Sequence, residues 1–247
     1  MKISIVTSVY NNQETIREAI ETVLSQTYNN IEYIIIDGAS KDGTTDIIRS
    51  YGNQITIFKS EQDNGIYDGL NKGIAIATGD VIGFLHSDDL YSNSNVIAHV
   101  ADAFTNNNID AVYGDLVYTS KSDTSKILRY WKSCEFNNQL LSRGWMPAHP
   151  TFFVKRSLYE KYGFFDTTYQ IAADYDFMLR ILSKNIKTEY LPFVIYKMRI
   201  GGESNKNIRN IVHKMREDYR ALKSNNIGGI WSLTLKNLSK IQQFLIK

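Results

Sequence analysis

Val81-Ile82-Gly83-Phe84-Leu85-His86-Ser87-Asp88-Asp89 runs from five apolar or small residues straight into a histidine, a serine and two adjacent carboxylates. The apolar run is short and reads as a strand buried on both faces. Neighbouring carboxylates at a buried strand end repel one another unless a cation shares them. Hard oxygen donors of this kind suit Mg²⁺ or Mn²⁺, which keep waters and also bind substrate phosphates. The same pair can instead cap the amides of a following helix. Both readings stand for Asp88 and Asp89, and their place after a buried strand favours the ion.

Outward from this stretch, strand and helix patterns alternate. Ile3 to Val9, Ile31 to Ile36, Ile55 to Phe58 and Ala111 to Tyr118 read as strands. Between them, helical spacing of apolar residues starts with Ile16, Ala19, Ile20, Val23 and Leu24 and recurs around 44–51, 67–77 and 95–104. The rhythm predicts a mostly parallel sheet with helices on both faces. Beyond about residue 120 it breaks at Pro147-Ala148-His149-Pro150, before a strand candidate at 151–154 and a helix over 174–183. From Asn207 to Lys223, the residues Ile208, Ile211, Val212, Met215, Tyr219 and Leu222 share one helical face, expected to pack over the sheet.

In an open parallel sheet, ligands bind beyond the carboxyl ends of the strands. Thr7, Tyr10 and Asn11 follow the first strand, Asp37 the second, and His86 to Asp89 the fourth. An acid at Asp37 suits ribose hydroxyls in dinucleotide-binding folds, but the turn from Thr7 to Asn12 contains no glycine, which argues against a nicotinamide cofactor. A base or ribose at Asp37 with Tyr10 stacking beside it remains open, as does a simple turn at Asp37-Gly38. Asp174, within Ala172-Ala173-Asp174-Tyr175-Asp176, reads as a helix cap or as a general base. His149 reads as a ligand, an acceptor contact or a packed ring.

The bulk properties narrow the classes. Among 247 residues, 28 Lys+Arg against 26 Asp+Glu leave a formal charge of +2, without the basic field of a nucleic-acid binder. One cysteine, Cys134, excludes an internal disulfide framework and a multi-Cys zinc site. No run reaches the roughly 20 apolar residues of a membrane span, and the opening Met1-Lys2-Ile3-Ser4 lacks a signal-peptide pattern. The expected compartment is the cytoplasm.

Taken in register, four segments resemble family 2 glycosyltransferases of the inverting type. They are Ser4 to Asn11, Ile34 to Thr44, Asn64 to Gly73 with Ala77 to Asp80, and His86 to Asp89; Asp174 in Ala172 to Arg180 matches the acidic helix start that follows. Among these the chain is similar to bacterial O-antigen and capsule transferases. The resemblance covers Ile3 to about Ser204 and implies a GT-A fold, a Rossmann-like α/β domain with a mostly parallel central sheet, over 1–204, with a C-terminal helical extension over 205–247. It also implies a nucleotide-sugar donor, commonly UDP-linked, and a glycan or polyprenyl-diphosphate-linked acceptor. On this resemblance Asp37 contacts the base, and Thr7 and Tyr10 line the same pocket. Asp88 and Asp89 hold Mn²⁺ or Mg²⁺ and the diphosphate-ribose portion, Asn71 and Lys72 help to hold the donor, and Asp174 deprotonates the acceptor. The sequence departs from the family at His86, where many relatives carry Asp or Asn. It departs again over Tyr196 to Ser204, where many carry a His. Water, His149 or another group is then expected to complete the ion's coordination.

Two other classes make different demands on the sequence. A nucleotidyltransferase should show a Gly-rich basic loop after the first strand, and none is present. A non-catalytic binding module of the same fold need not keep Asp37, Asp88, Asp89 and Asp174 together. Trp131, Arg143 and Trp145, in the 120–150 segment expected to face the acceptor, read equally as sugar contacts or core.

The tail suggests a surface role. On a helical wheel Lys236, Lys240 and Lys247 fall within about 40°, opposite Trp231, Leu235, Leu238 and Leu245, with Leu233 and Phe244 off the apolar arc. A basic amphipathic helix of this kind is expected to touch the inner face of a membrane, or else to pack on the domain or a dimer partner.

Overall fold

A computed structural model describes residues 1–201 and 208–243. In chain order the elements are β1 (Ile3–Val9), α1 (Ile16–Leu24), β2 (Ile31–Asp37), α2 (Thr44–Arg49), β3 (Ile57–Ser60), α3 (Ile66–Ile76), β4 (Val81–Phe84), β5 (Leu90–Tyr91), α4 (Val96–Asn106), β6 (Ala111–Thr119), β7 (Ile127–Trp131), α5 (Asn138–Ser142), β8 (Phe153–Lys155), α6 (Arg156–Tyr162), α7 (Ala173–Leu182), β9 (Thr188–Arg199), α8 (Ile208–Ser224) and α9 (Ile230–Gln242). The third strand begins two residues later than the sequence suggested.

Nine strands form one sheet in the order β3-β2-β1-β4-β8-β6-β9-β5, with β7 pairing with β6. As expected it is mostly parallel: β3, β2, β1 and β4 run together, as do β6 and β9, while the short β5, β7 and β8 are antiparallel. β1 is buried along its whole length because it has a neighbour on either side and apolar layers above and below. Side chains alternate between those layers: Ile3, Ile5 and Ile35 meet α1 and α4, whereas Val6, Ile34 and Ile36 meet α3 and α7. At Gly73 of α3 a Cβ would lie 2.3 Å from Val6 Cγ1, so the glycine lets this helix sit directly on β1. Successive strands diverge from β1 toward β2 and toward β4, which opens a crevice beyond their carboxyl ends.

The opposite end of the sheet carries a structural carboxylate. Glu32 accepts hydrogen bonds from Ser4 Oγ (2.5 Å) and the Thr78 amide (2.7 Å) and pairs with Lys2 (3.3 Å). Burial pushes its carboxyl up, but these donors outweigh that and hold it down at about 2.

Sequence periodicity passed over β9. Pro192 interrupts an otherwise strand-like run, which ordinarily argues against a central strand. The structure accommodates it in a bulge: Gly114 pairs with Leu191 and Asp115 with Val194, so the intervening pair loops out of the ladder.

The packing expected for α8 is corrected. Only Leu222 of the expected apolar face is buried; Ile211, Val212, Met215 and Tyr219 are 38–44% exposed, and the side chain of Ile208 lies outside the described residues. The buried face instead presents Glu217, Asp218, Ala221 and Leu222 toward α7 and α9. In α9 Lys236 is corrected as well: it is buried, with Nζ 2.7 Å from Asp218 Oδ1 and 3.2 Å from the centre of the Tyr175 ring. Leu233 is buried, while Trp231, Leu235 and Leu238 are exposed. The Lys240 side chain, Phe244, Leu245, Lys247 and the 202–204 end of the late segment lie outside the described residues.

Candidate active site

The crevice edge begins with two loops that lock together. Asn11, after β1, and Ala39, after β2, both have left-handed backbones, with φ of 46° and 62°. An alanine in that region costs about 1–3 kcal/mol and persists only where neighbours enforce it. Here the Asn11 amide donates to Ser40 Oγ and the Lys41 amide to Asn11 Oδ1, both at 2.8 Å. Asp37 is fully buried beneath them, accepting from the Ser40 amide (3.0 Å), the Ser40 hydroxyl and Ser60 Oγ (2.6 Å). It thereby joins the ends of β2 and β3. Thr7 is also fully buried, with Oγ1 3.3 Å from the Tyr33 hydroxyl, whereas Tyr10 is 60% exposed on the crevice edge.

At the end of β4 the two aspartates separate. Asp88 is half-buried. Asp89 is 1% exposed; its Oδ1 accepts from the Arg199 amide at 2.9 Å, and the Tyr196 hydroxyl also bonds to it. Burial, and then the charge of Asp88, push the Asp89 carboxyl well above the usual range. The same Tyr196 oxygen accepts the His86 amide at 2.9 Å, and the Arg199 guanidinium bonds to the Asp88 carbonyl oxygen and to Glu18. Asp89 thus fastens the last residue of β9 beneath the motif, whereas Asp88 is half-buried beside His86.

His86 and His149 form the floor. Their ring centroids are 6.4 Å apart. His149 stacks on Phe84 at 5.2 Å and meets Phe165 edge-on at 5.4 Å. His86 Nδ1 and His149 Nε2 are buried without a hydrogen-bond partner among the described residues. Burial lowers both rings, His149 to about 4, although Asp174 pulls each the other way and Asp88 does so for His86. Asp174 thus acts on both imidazoles, and Asp88 on that of His86.

Asp174 stands in the first turn of α7, half-buried. Its Oδ1 accepts from the Tyr175 amide at 2.8 Å and lies 3.1 Å from the Tyr67 hydroxyl. The same hydroxyl is 2.6 Å from the Ile171 carbonyl oxygen, so its one proton is shared. Burial and the Asp174 charge keep the Tyr67 phenol protonated, well above its ordinary range. Oδ2 of Asp174 carries no hydrogen bond among the described residues. Tyr67 lies within the Asn64 to Gly73 segment, yet nothing in its spacing marks it as a contact of Asp174.

Two of the expected donor contacts are engaged by the protein itself. The Asn71 amide group donates to the Phe165 carbonyl (2.9 Å) and accepts its N–H (3.0 Å), strapping α3 to the loop before α7. Lys72 is bonded to the Gln62 carbonyl (2.8 Å) and lies 3.1 Å from Glu61 and 3.5 Å from Asp68. Trp145 packs edge-on against Tyr113 and Trp131 lies against the core, while Arg143 is exposed.

Among the described residues, no three His, Cys, Asp or Glu side chains come together as a metal cage. The hard oxygen of Asp88 beside an unpartnered imidazole nitrogen still fits a divalent ion that draws its other ligands from water and substrate phosphate. Asp88 is the side chain that would hold it.

Comparison with known proteins agrees with this architecture. The profile of glycosyl transferase family 2 matches residues 4–176. A glycosyltransferase of Rickettsia typhi, itself uncharacterised, is 30% identical over 255 aligned positions, covering 99% of this chain and 75% of its own. A PGL/p-HBAD biosynthesis glycosyltransferase of Mycobacterium bovis is 29% identical, covering 82% and 78%. Among solved structures, S. aureus TarS 1-349 in complex with UDP-GlcNAc superposes with a TM-score of 0.70 at 16% identity, covering 90% of this chain and 66% of that one. The present chain spans 40% of a longer TarS chain. The mannosyltransferase PcManGT from Pyrobaculum calidifontis, in complex with GDP-Man and Mn²⁺, gives 0.67 at 18% identity over 99% of this chain and 72% of that one. The fold is GT-A.

Proposed function

Because the chain belongs to glycosyl transferase family 2, we propose that it moves a hexose from a UDP-linked donor to a hydroxyl of a glycan or polyprenyl-diphosphate-linked acceptor, inverting the anomeric configuration, in bacterial surface polysaccharide synthesis. The observation that carries this reading is the position of Asp88 beside His86 and of Asp174 beside both His86 and His149, at the carboxyl end of the sheet.

In this account the nucleoside lies over the β1–β2 loops. Tyr10 stacks on the base, and Asp37, buried with Thr7 beneath, keeps the loop backbone in the shape that receives it. Asp88 faces the diphosphate. A divalent ion, when bound there, would offset charge on the leaving nucleoside diphosphate as a Lewis acid. Asp89 sets the position of Asp88, and Asn71 and Lys72 act by holding α3 and its preceding loop. Asp174 Oδ2 takes the proton of the acceptor hydroxyl. The acceptor oxygen forms a bond to the anomeric carbon as the bond from that carbon to the phosphate oxygen breaks, and the electron pair leaves with the nucleoside diphosphate. The unpartnered His149 Nε2 accepts a hydrogen bond from a sugar hydroxyl. The direct test is release of UDP that requires donor, acceptor and Mn²⁺ or Mg²⁺ together; donor binding without release would overturn the reading.

Peripheral attachment to an anionic membrane belongs to the same proposal. No helix among the described residues is long and apolar enough to cross a membrane. Exposed Trp231, Leu235 and Leu238 of α9, and exposed Ile211, Val212 and Met215 of α8 flanked by Arg209, Arg216 and Lys223, support contact at the interface. The buried Lys236 takes no part.

A further inference from the structure

The turn that presents Asp174 is held from the far side by a carboxylate that the catalytic account does not use. Glu217, in the middle of α8, is 6% exposed. Its Oε1 accepts the Gln170 amide at 2.8 Å, and its Oε2 accepts the amides of Ile171 at 2.8 Å and Ala172 at 3.0 Å. Three consecutive N–H groups converging just ahead of a helix form an anion-binding concavity. Glu217 fills it from within the chain, with charge-assisted bonds roughly twice as strong as neutral ones. Its second neighbour is His213, whose Nε2 lies 3.2 Å from Oε1.

The rest of α8 grips the same segment. Arg220 donates to Thr168 Oγ1 at 2.7 Å and lies 4.3 Å over the Tyr169 ring, and Asn225, just past the end of α8, donates to Asp176 Oδ1 in α7 at 2.8 Å. Tyr67 of α3 also reaches this turn by hydrogen bond, through the Ile171 carbonyl and Asp174 itself. Ile171 is thus fixed at both polar ends of its backbone, its N–H by Glu217 and its carbonyl by Tyr67.

We propose that Glu217 is a positioning residue for the reaction: its carboxylate sets the backbone of Gln170 to Ala172, and through it the direction in which Asp174 Oδ2 meets the acceptor hydroxyl. Residues of the C-terminal helices are then part of the apparatus that aims the base. The inference rests on the role proposed for Asp174. Donor binding should be insensitive to Glu217, because Tyr10 and Asp88 lie on loops after β1 and β4 and Asp37 ends β2, and Glu217 hydrogen-bonds to none of these. Acceptor deprotonation should be sensitive, because misplacing a reacting group by about 1 Å can cost 10²-fold in rate.

The test uses the full chain with Glu217→Gln and Glu217→Asp, measuring kcat, donor KM and calorimetric binding of UDP with Mn²⁺. Glu217→Gln should lower kcat about tenfold or more while donor KM and UDP affinity stay within about twofold. Glu217→Asp, which keeps the charge, should recover part of kcat. A kcat within twofold of wild type in Glu217→Gln would overturn the proposal. So would loss of UDP binding in both variants, which would make Glu217 a residue of the fold as a whole. If wild-type protein itself neither binds UDP nor releases it from a donor, the parent reading fails instead.

Discussion

Tyr67 and Asp174, 107 residues apart in sequence, lie with the phenol oxygen 3.1 Å from the carboxylate Oδ1. The contact joins the first turn of α3 to the first turn of α7 and occupies one oxygen of the carboxylate. The other carries no hydrogen bond among the described residues, the arrangement expected of a general base held in one orientation.

Asp174→Asn keeps the shape of the side chain and its bond to Tyr67, but it cannot take a proton. Turnover should fall by about 10²–10⁴, with UDP affinity in Mn²⁺ changed by no more than a few-fold. Steady-state kinetics with calorimetry check this. Full activity in the variant would remove Asp174 from the mechanism.

The two aspartates of the β4 motif should behave differently. Asp88→Ala should weaken the enhancement of UDP binding by Mn²⁺ and leave the melting temperature nearly unchanged. Asp89→Ala leaves the buried Arg199 amide and Tyr196 hydroxyl without their acceptor, at a cost of about 1–3 kcal/mol in stability. Denaturant titration of both variants, alongside metal titration, separates the roles. Equal stability losses would show that Asp88 is a structural residue as well.

His149 makes stability depend on pH. Its folded form titrates at about 4 against an ordinary 6.5, so between those values the unfolded chain binds more protons and stability falls as pH falls. From pH 7 to pH 5 this amounts to about 2 kcal/mol, fully present as stability above about pH 6.5. His149→Phe, stacked on Phe84 in the same slot, should lose correspondingly less over that interval. Parallel losses in the two proteins would contradict the assignment.

The parts of the fold that were legible in the sequence are those in which local chemistry and final environment agree. β1, β2 and β4 are buried on both faces, so their residues are mostly apolar and β-branched, and Asp37 and the His86 to Asp89 stretch come where those runs stop. β9 was hidden because Pro192 contradicts a strand locally, and only its parallel partner β6 and the bulge at Asp115 make room for it. The apolar stripe on α8 was visible but its orientation was not. Whether Ile211 or Glu217 faces inward depends on the three amides at 170–172, which no helical wheel records. Tyr67 and Glu217 share that opacity, since each acts through a contact closed only in the folded chain.

The outer faces of α8 and α9 yield a test of membrane contact. Trp231 is 78% exposed and Leu238 54%, so Trp231→Ser and Leu238→Ser should leave stability almost unchanged. Co-sedimentation with phosphatidylglycerol vesicles should fall several-fold, since each large apolar side chain contributes about 1.5–3 kcal/mol on full burial. Unchanged sedimentation would remove the membrane from the account, and a shift from dimer to monomer would assign the face to a second copy.

The central claim, a nucleoside diphosphate held over the β1–β2 loops and facing Asp88, is tested most directly by calorimetric titration of UDP, GDP and ADP into the wild-type chain with and without Mn²⁺. The account predicts selective binding of UDP, strengthened by Mn²⁺ and lost in Asp88→Ala. Absence of binding by all three nucleotides, with metal present, would contradict it.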